Sequence, residues 1–128
     1  MRTLIVYATK HGCAEKCALK LKEKLAGEVT LVNLNKTNYN HLDDFTAIVV
    51  GGSIYAGQIQ KRVRQFCETH SAKLREKPLG LFLCCMEAEK APEQFETAFA
   101  PELRNHAVAK GLFGGEFNLE TMNFLEKL

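Results

Sequence analysis

The sequence predicts an α/β fold, a doubly wound five-stranded parallel sheet, and three observations carry that expectation. Short apolar runs recur at Leu4–Ala8, Val29–Leu34, Ala47–Val50, Pro78–Cys85 and Ala107–Phe113, without the polar alternation of strands wetted on one side. Most of these runs are separated by stretches with helical apolar spacing, and right-handed crossovers between parallel strands then wind the sheet on both faces. The first and third runs end in glycine-bearing turns that lead into helices, the position at which open α/β sheets bind ligands.

The elements follow in order. Leu4-Ile5-Val6-Tyr7-Ala8 reads as the first strand, and Ala14, Cys17, Ala18, Leu21 and Leu25 form one stripe of the first helix. Ala26-Gly27 stops that helix ahead of the second strand, Val29–Leu34. Asn35–Phe45 is too polar for a full helix, so the spacing predicts a loop with at most a short turn at His41–Asp44. Ala47–Val50 is the third strand. Beyond Gly51–Gly57 the spacing predicts a helix with Ile59, Val63, Phe66 and Cys67 inward and Lys61, Arg62 and Arg64 outward. Pro78–Cys85 is the fourth strand, with Met86–Lys90 as its following loop. Pro92 marks a helix start and sets Phe95, Phe99 and Leu103 along an inward face. Ala107–Phe113 closes the sheet. The segment Leu119–Leu128 reads as the start of a connection, not a packed helix.

Two loops carry candidate chemistry. Thr9, Lys10, His11, Gly12, Cys13 and Ala14 bring a hydroxyl, a cation, a glycine and backbone N–H groups to a helix start, which suits a phosphate. The bland alternative is a plain strand-to-helix connection, since neither G-x-G-x-x-G nor G-x-x-x-x-G-K-[ST] occurs. Ser53, Ile54, Tyr55, Ala56 and Gly57, framed by Gly51-Gly52, offer an apolar platform for a planar ring; the alternative is that Ile54 and Tyr55 only cover the sheet end.

Taken together, these stretches resemble the flavodoxin-like FMN proteins over nearly the whole chain. The resemblance is closest to the flavodoxin-domain group that includes the menaquinone-dependent protoporphyrinogen IX dehydrogenases. Ala8–Gly12, Gly51–Gly57, Gly114-Gly115-Glu116-Phe117 and Met122–Leu128 carry it. It implies strand order 2-1-3-4-5, with FMN between the loops after strands 1 and 3 and Met86, Glu87 and Ala88 as a second wall. It also implies electron transfer through bound flavin, with a redox partner protein, a quinone or a porphyrinogen as partner. Two alternatives stand beside that: a quinone-dependent protoporphyrinogen oxidase, or an interaction module that has lost FMN. The chain departs from the usual phosphate loop at His11 and Ala14, where hydroxyls are customary. The resemblance implies a final helix beside the first, so its truncation or absence would leave an apolar face open and favour a homodimer.

Composition sets bounds. With 128 residues and 46% hydrophobic content, the expectation is a single domain over residues 1–128. The apolar runs are too short to span a membrane, and an apolar strand at Thr3 leaves no room for a signal peptide, so a cytoplasmic location is expected. Seventeen basic against fifteen acidic residues give a charge of +2, too balanced for nucleic acid. Lys61, Arg62 and Arg64 form either a solvated face or an approach for an anionic partner. Five cysteines without a secretion signal read as free thiols. No C-x-x-C occurs and the four histidines are scattered, so no metal site is expected. A C-x5-R phosphatase loop fails because Leu19 occupies the arginine position, and a receiver domain lacks its strand-end aspartate. Catalytic residues are not assigned: Glu87 and Glu89 are the carboxylates nearest the presumed ring and read best as solvated loop charges.

Overall fold

The computed structural model describes residues 1–84, 86–113 and 119–128. Along the chain run β1 (Arg2–Tyr7), α1 (Cys13–Lys24), β2 (Glu28–Asn33), β3 (Ala47–Tyr55), β4 (Gln58–Ile59), α2 (Lys61–Thr69), α3 (Ser71–Leu74), β5 (Leu79–Cys84), α4 (Ala91–Ala98), α5 (Pro101–His106), β6 (Ala109–Phe113) and α6 (Leu119–Lys127). Single 3-10 turns form at Leu42–Asp44 and Ala88–Lys90. Five strands make a parallel sheet in the order β2-β1-β3-β5-β6, while β4 pairs antiparallel with β3 alone. Counting only the parallel strands, this is the 2-1-3-4-5 order.

Strand periodicity divides the core. Leu4, Val6, Ile48, Val50, Leu81 and Leu83 face the helices that carry Val63, Phe66, Phe95 and Leu103. Ile5, Tyr7, Val49, Phe82 and Cys84 face α1 and α6. β1, β3 and β5 are buried on both faces, which is why their sequences are uninterrupted apolar runs. On the α1 side, Gly51, Phe82 and Gly111 stand side by side across three strands. A Cβ at Gly51 would collide with the Phe82 ring, and a Cβ at Gly80 would come within 2.8 Å of Phe124.

Four differences from expectation have local causes. Residues Leu119–Lys127 form a helix, and Phe124 is buried edge-on to Phe113 at 5.3 Å. The sheet face expected to lie open is therefore covered there, which removes the ground for expecting a dimer. β3 continues to Tyr55 because Ala56 and Gly57 both adopt positive φ (51° and 80°), the two-residue geometry that folds a strand back as a hairpin. Ile59 consequently belongs to β4 and α2 starts at Lys61. The helix opened by Pro92 stops at Ala98, since Pro101 holds Ala100 extended (φ −63°, ψ 150°), and α5 follows as a separate piece. Phe95, Phe99 and Leu103 are nonetheless all buried. The Gly114–Phe117 motif and Cys85 lie outside the described residues.

Candidate functional site

The loops after β1 and β3 leave adjacent strands at their carboxyl ends and meet through side chains. Lys10 Nζ lies 4.9 Å from the centroid of the Tyr55 ring, and the His11 ring stands edge-on to it at 5.8 Å. A cation over an aromatic face is worth about 0.5–1 kcal/mol when exposed, so this contact orients Tyr55 without fastening it. Tyr55 remains 54% exposed.

The first loop is built around Thr9. Its hydroxyl oxygen accepts from the N–H groups of Gly12 (2.9 Å) and, at longer range, Ala14 (3.4 Å). A hydroxyl that accepts still has its own hydrogen to donate. Gly12 sits at φ +85°, and a side chain there would meet nothing within 4 Å, so the space beside the loop is open. Lys10 and His11 are exposed, Thr9, Gly12 and Cys13 half-buried, and Ala14 buried. α1 runs twelve residues from Cys13, with Glu15 in its first turn and Lys22 and Lys24 in its last, a polarity that suits its dipole.

The second loop is the tip of the β3–β4 hairpin. Ser53 is buried, Ile54 half-buried against the core, and Tyr55, Ala56 and Gly57 exposed. The site residues expected after the fourth strand follow β5: Met86 is half-buried, Glu87 is exposed and pairs with Lys90 at 3.6 Å, and Ala88 opens a 3-10 turn.

Side-chain amides brace all three loops. The N–H of Thr9 donates to Asn35 Oδ1 (2.8 Å), that of Ser53 to Gln60 Oε1 (3.0 Å), and that of Glu87 to Gln94 Oε1 (3.1 Å). Gln60 Nε2 also donates to Ser53 Oγ at 2.8 Å. Sequence reasoning singled out none of these amides. The one available cue was an Asn or Gln near each loop, and polar residues near loops are commonplace.

The basic stretch after the hairpin is not a uniform outward face. Arg62 donates to the carbonyl of Leu34 at 2.8 Å, and Arg64 has its Nε buried. Only Lys61 of the three stands exposed with no hydrogen bond or ion pair described. A cavity of about 510 Å³ lies beside this helix, lined in part by Tyr39, Arg62 and His70.

Under the first loop, three thiols gather. The sulfurs of Cys13, Cys17 and Cys84 lie within 4.8 Å of one another, although their sequence spacing shows no ligand pattern. The thiol of Cys84, held by its hydrogen bond with Cys17 and by burial, resists deprotonation. The same hydrogen bond, aided by Lys20, lowers the pKa of Cys17 against the opposing effect of burial. By contrast Cys67, away from this group, is pushed up to about 12 by burial and then by Glu68. In the same core cluster, the Tyr7 pKa is raised by burial and by Glu15, whose carboxylate lies 3.5 Å from its hydroxyl.

The family model described as "Flavodoxin domain" matches residues 4–128, from β1 to the last residue. The chain belongs to the flavodoxin domain family. A curated relative, "Protoporphyrinogen IX dehydrogenase [quinone]" of Escherichia coli K12, is 26% identical over 98 residues, covering 73% of this chain and 53% of that protein. The chain thus spans about half the length of the curated relatives it matches. Among solved structures, the rubredoxin oxygen:oxidoreductase of Desulfovibrio gigas superposes with a TM-score of 0.71 at 17% identity, covering 98% of this chain and 34% of the other. A flavodoxin, WrbA-like protein of Agrobacterium tumefaciens gives 0.70 at 18%, covering 98% and 92%. Flavodoxin 1 of Bacillus cereus gives 0.62 at 13%, covering 98% and 93%. At these identities the likeness is one of fold. Among the described residues of this flavodoxin domain, no helix is long and apolar enough to cross a membrane.

Proposed function

We propose that this flavodoxin domain binds FMN between the Thr9–Ala14 loop and the β3–β4 hairpin and serves in electron transfer. The observation that carries the reading is the contact of Lys10 with Tyr55, which joins an anion-friendly helix start to an exposed aromatic ring at adjacent strand ends. The residues suit the cofactor. Open space beside Gly12 admits a phosphate close to the backbone, Lys10 supplies a mobile charge, and Thr9 retains a hydroxyl hydrogen. Tyr55 and Ile54 offer an aromatic and an aliphatic surface to a planar ring, with Met86 at the end of the neighbouring strand.

Bound flavin would supply one- and two-electron chemistry. The chain's part is to hold and tune it. Lys10 would exchange its contact with Tyr55 for one with the phosphate, leaving the Tyr55 face available. Gln60, through Ser53, keeps the hairpin at a set height above the sheet.

Titration of the apoprotein with FMN tests the reading. At ligand a hundredfold above Kd the fold gains about 2.7 kcal/mol, read as a rise in melting temperature alongside a change in flavin fluorescence. No shift at millimolar FMN, with the protein shown folded, overturns it and leaves the interaction-module alternative.

A second reading rests on the curated relatives, which carry the name protoporphyrinogen IX dehydrogenase. FMN-loaded protein that oxidises protoporphyrinogen IX with a quinone as acceptor supports this reading. Loaded protein that exchanges electrons only with a redox protein supports the first.

A further inference from the structure

We propose that Cys13, Cys17 and Cys84 form a three-thiolate site for one thiophilic d10 cation, monovalent copper being the best match. The proposal does not rest on FMN binding, although Cys13 belongs to the loop proposed to hold the FMN phosphate. Cys13 is the first residue of α1, Cys17 lies one turn further on the same side, and Cys84 ends β5, so helix and strand present sulfur to a common point. A metal about 2.3 Å from each of three thiolates in a plane needs sulfurs about 4 Å apart. The sulfurs already stand within 4.8 Å of one another, so ordinary rotamer adjustment closes the gap.

The donor set selects the metal. Among the described residues the cluster is sulfur alone, with no imidazole or carboxylate joining it. Soft thiolate donors favour Cu(I) and Zn(II) over harder ions. Zinc ordinarily takes four ligands, whereas three thiolates complete a trigonal Cu(I) site. Cys17 and Cys84 are buried, which excludes water, and Cys13 is half-buried, which gives the ion a way in. Binding converts three thiols and one Cu⁺ into a tris-thiolate complex of charge −2 with release of three protons, and no electron changes hands. The positive end of α1, at Cys13 itself, offsets that charge. Small core cysteines are the competing reading, and Cys67, buried on the opposite face of the sheet among apolar residues, is the example of it in this molecule.

The test is an anaerobic titration of the reduced full chain with Cu(I) buffered by bicinchoninate, with zinc run in parallel. One equivalent should bind, with ultraviolet thiolate-to-copper absorption, proton release, and protection of Cys13, Cys17 and Cys84 from iodoacetamide by mass mapping. Cys13→Ser, a half-buried and nearly isosteric change, should weaken copper by roughly a hundredfold, at least the loss seen when a group that merely orients a ligand is removed. Cys67→Ser should leave affinity unchanged. Cys17→Ser and Cys84→Ser add to the result only if their melting curves match the parent. The proposal is overturned if the folded protein leaves all copper with the chelator, if Cys13→Ser binds as tightly as the parent, or if protection maps to Cys67.

Discussion

Thr9–Ala14 and Ser53–Gln60 leave neighbouring strands of one sheet, yet they are held in different ways. The first is organised by one half-buried hydroxyl and an exposed amide, Asn35, beside empty space at Gly12. The second is pinned from below: Gln60 bonds both the N–H and the hydroxyl of buried Ser53, and a Cβ at Gly52 would come within 2.7 Å of Ile59. A ligand entering between them meets an adjustable side and a rigid one. The adjustable side carries charge and suits an anion whose position the loop can follow. The rigid side carries the ring.

The comparison is most severely tested at Gln60. Gln60→Ala strips two bonds from a buried residue and should cost about 2–3 kcal/mol in denaturant unfolding, whereas Asn35→Ala, at an exposed bond, should cost under about 1 kcal/mol. Equal costs would mean that the two loops are equally rigid. Next comes Gly12→Val. With open space around the position, the cost is conformational, about 1–2 kcal/mol for a left-handed residue. FMN affinity should fall much more than riboflavin affinity, since only FMN has the phosphate; equal losses would show damage to the fold instead.

Tyr55→Ala should leave stability within about 0.5 kcal/mol, because the ring is exposed, while lowering FMN affinity about fivefold to tenfold. A large loss of stability would place Tyr55 among the pinning residues. The smallest effect belongs to pH. His70 lies outside both loops, and burial outweighs its contact with the Tyr39 backbone to hold its pKa below the ordinary 6.5. The folded state thus favours the neutral ring: its contribution is intact above pH 6.5 and is lost as acid drives the pH down through the folded pKa. His70→Gln should flatten this part of the stability profile. An acid loss of FMN affinity that persists in His70→Gln then belongs to the loops and not to the fold.

The sheet was legible because its strands are buried on both faces and announce themselves as apolar runs. Strand order came from resemblance, since no residue pattern states which strands are neighbours. The hairpin was missed because Ala56 is not a residue that signals positive φ, and the α4–α5 break because Phe95, Phe99 and Leu103 keep one inward rhythm across Pro101. At the site, the two loops and their residue types could be read from strand ends and helix starts. The amides that hold those loops could not: Asn35 and Gln94 act from other segments, and their roles exist only after folding. The thiol cluster was hidden for the same reason, its third member arriving on β5.

The row Gly51–Phe82–Gly111 bears on how the central strands find their alignment. Sliding a strand by one residue turns its core side outward, so alternation alone forbids that error. A slide by two keeps every side chain on its proper face and would pass unnoticed in a uniformly bulky sheet. Here it would move the Phe82 ring from Gly51 to Val49 or Ser53, where a side chain takes the place the ring now fills. A single large ring seated where one side chain is missing thus acts as a proofreading device for assembly, rejecting the one misalignment that hydrophobic patterning cannot detect.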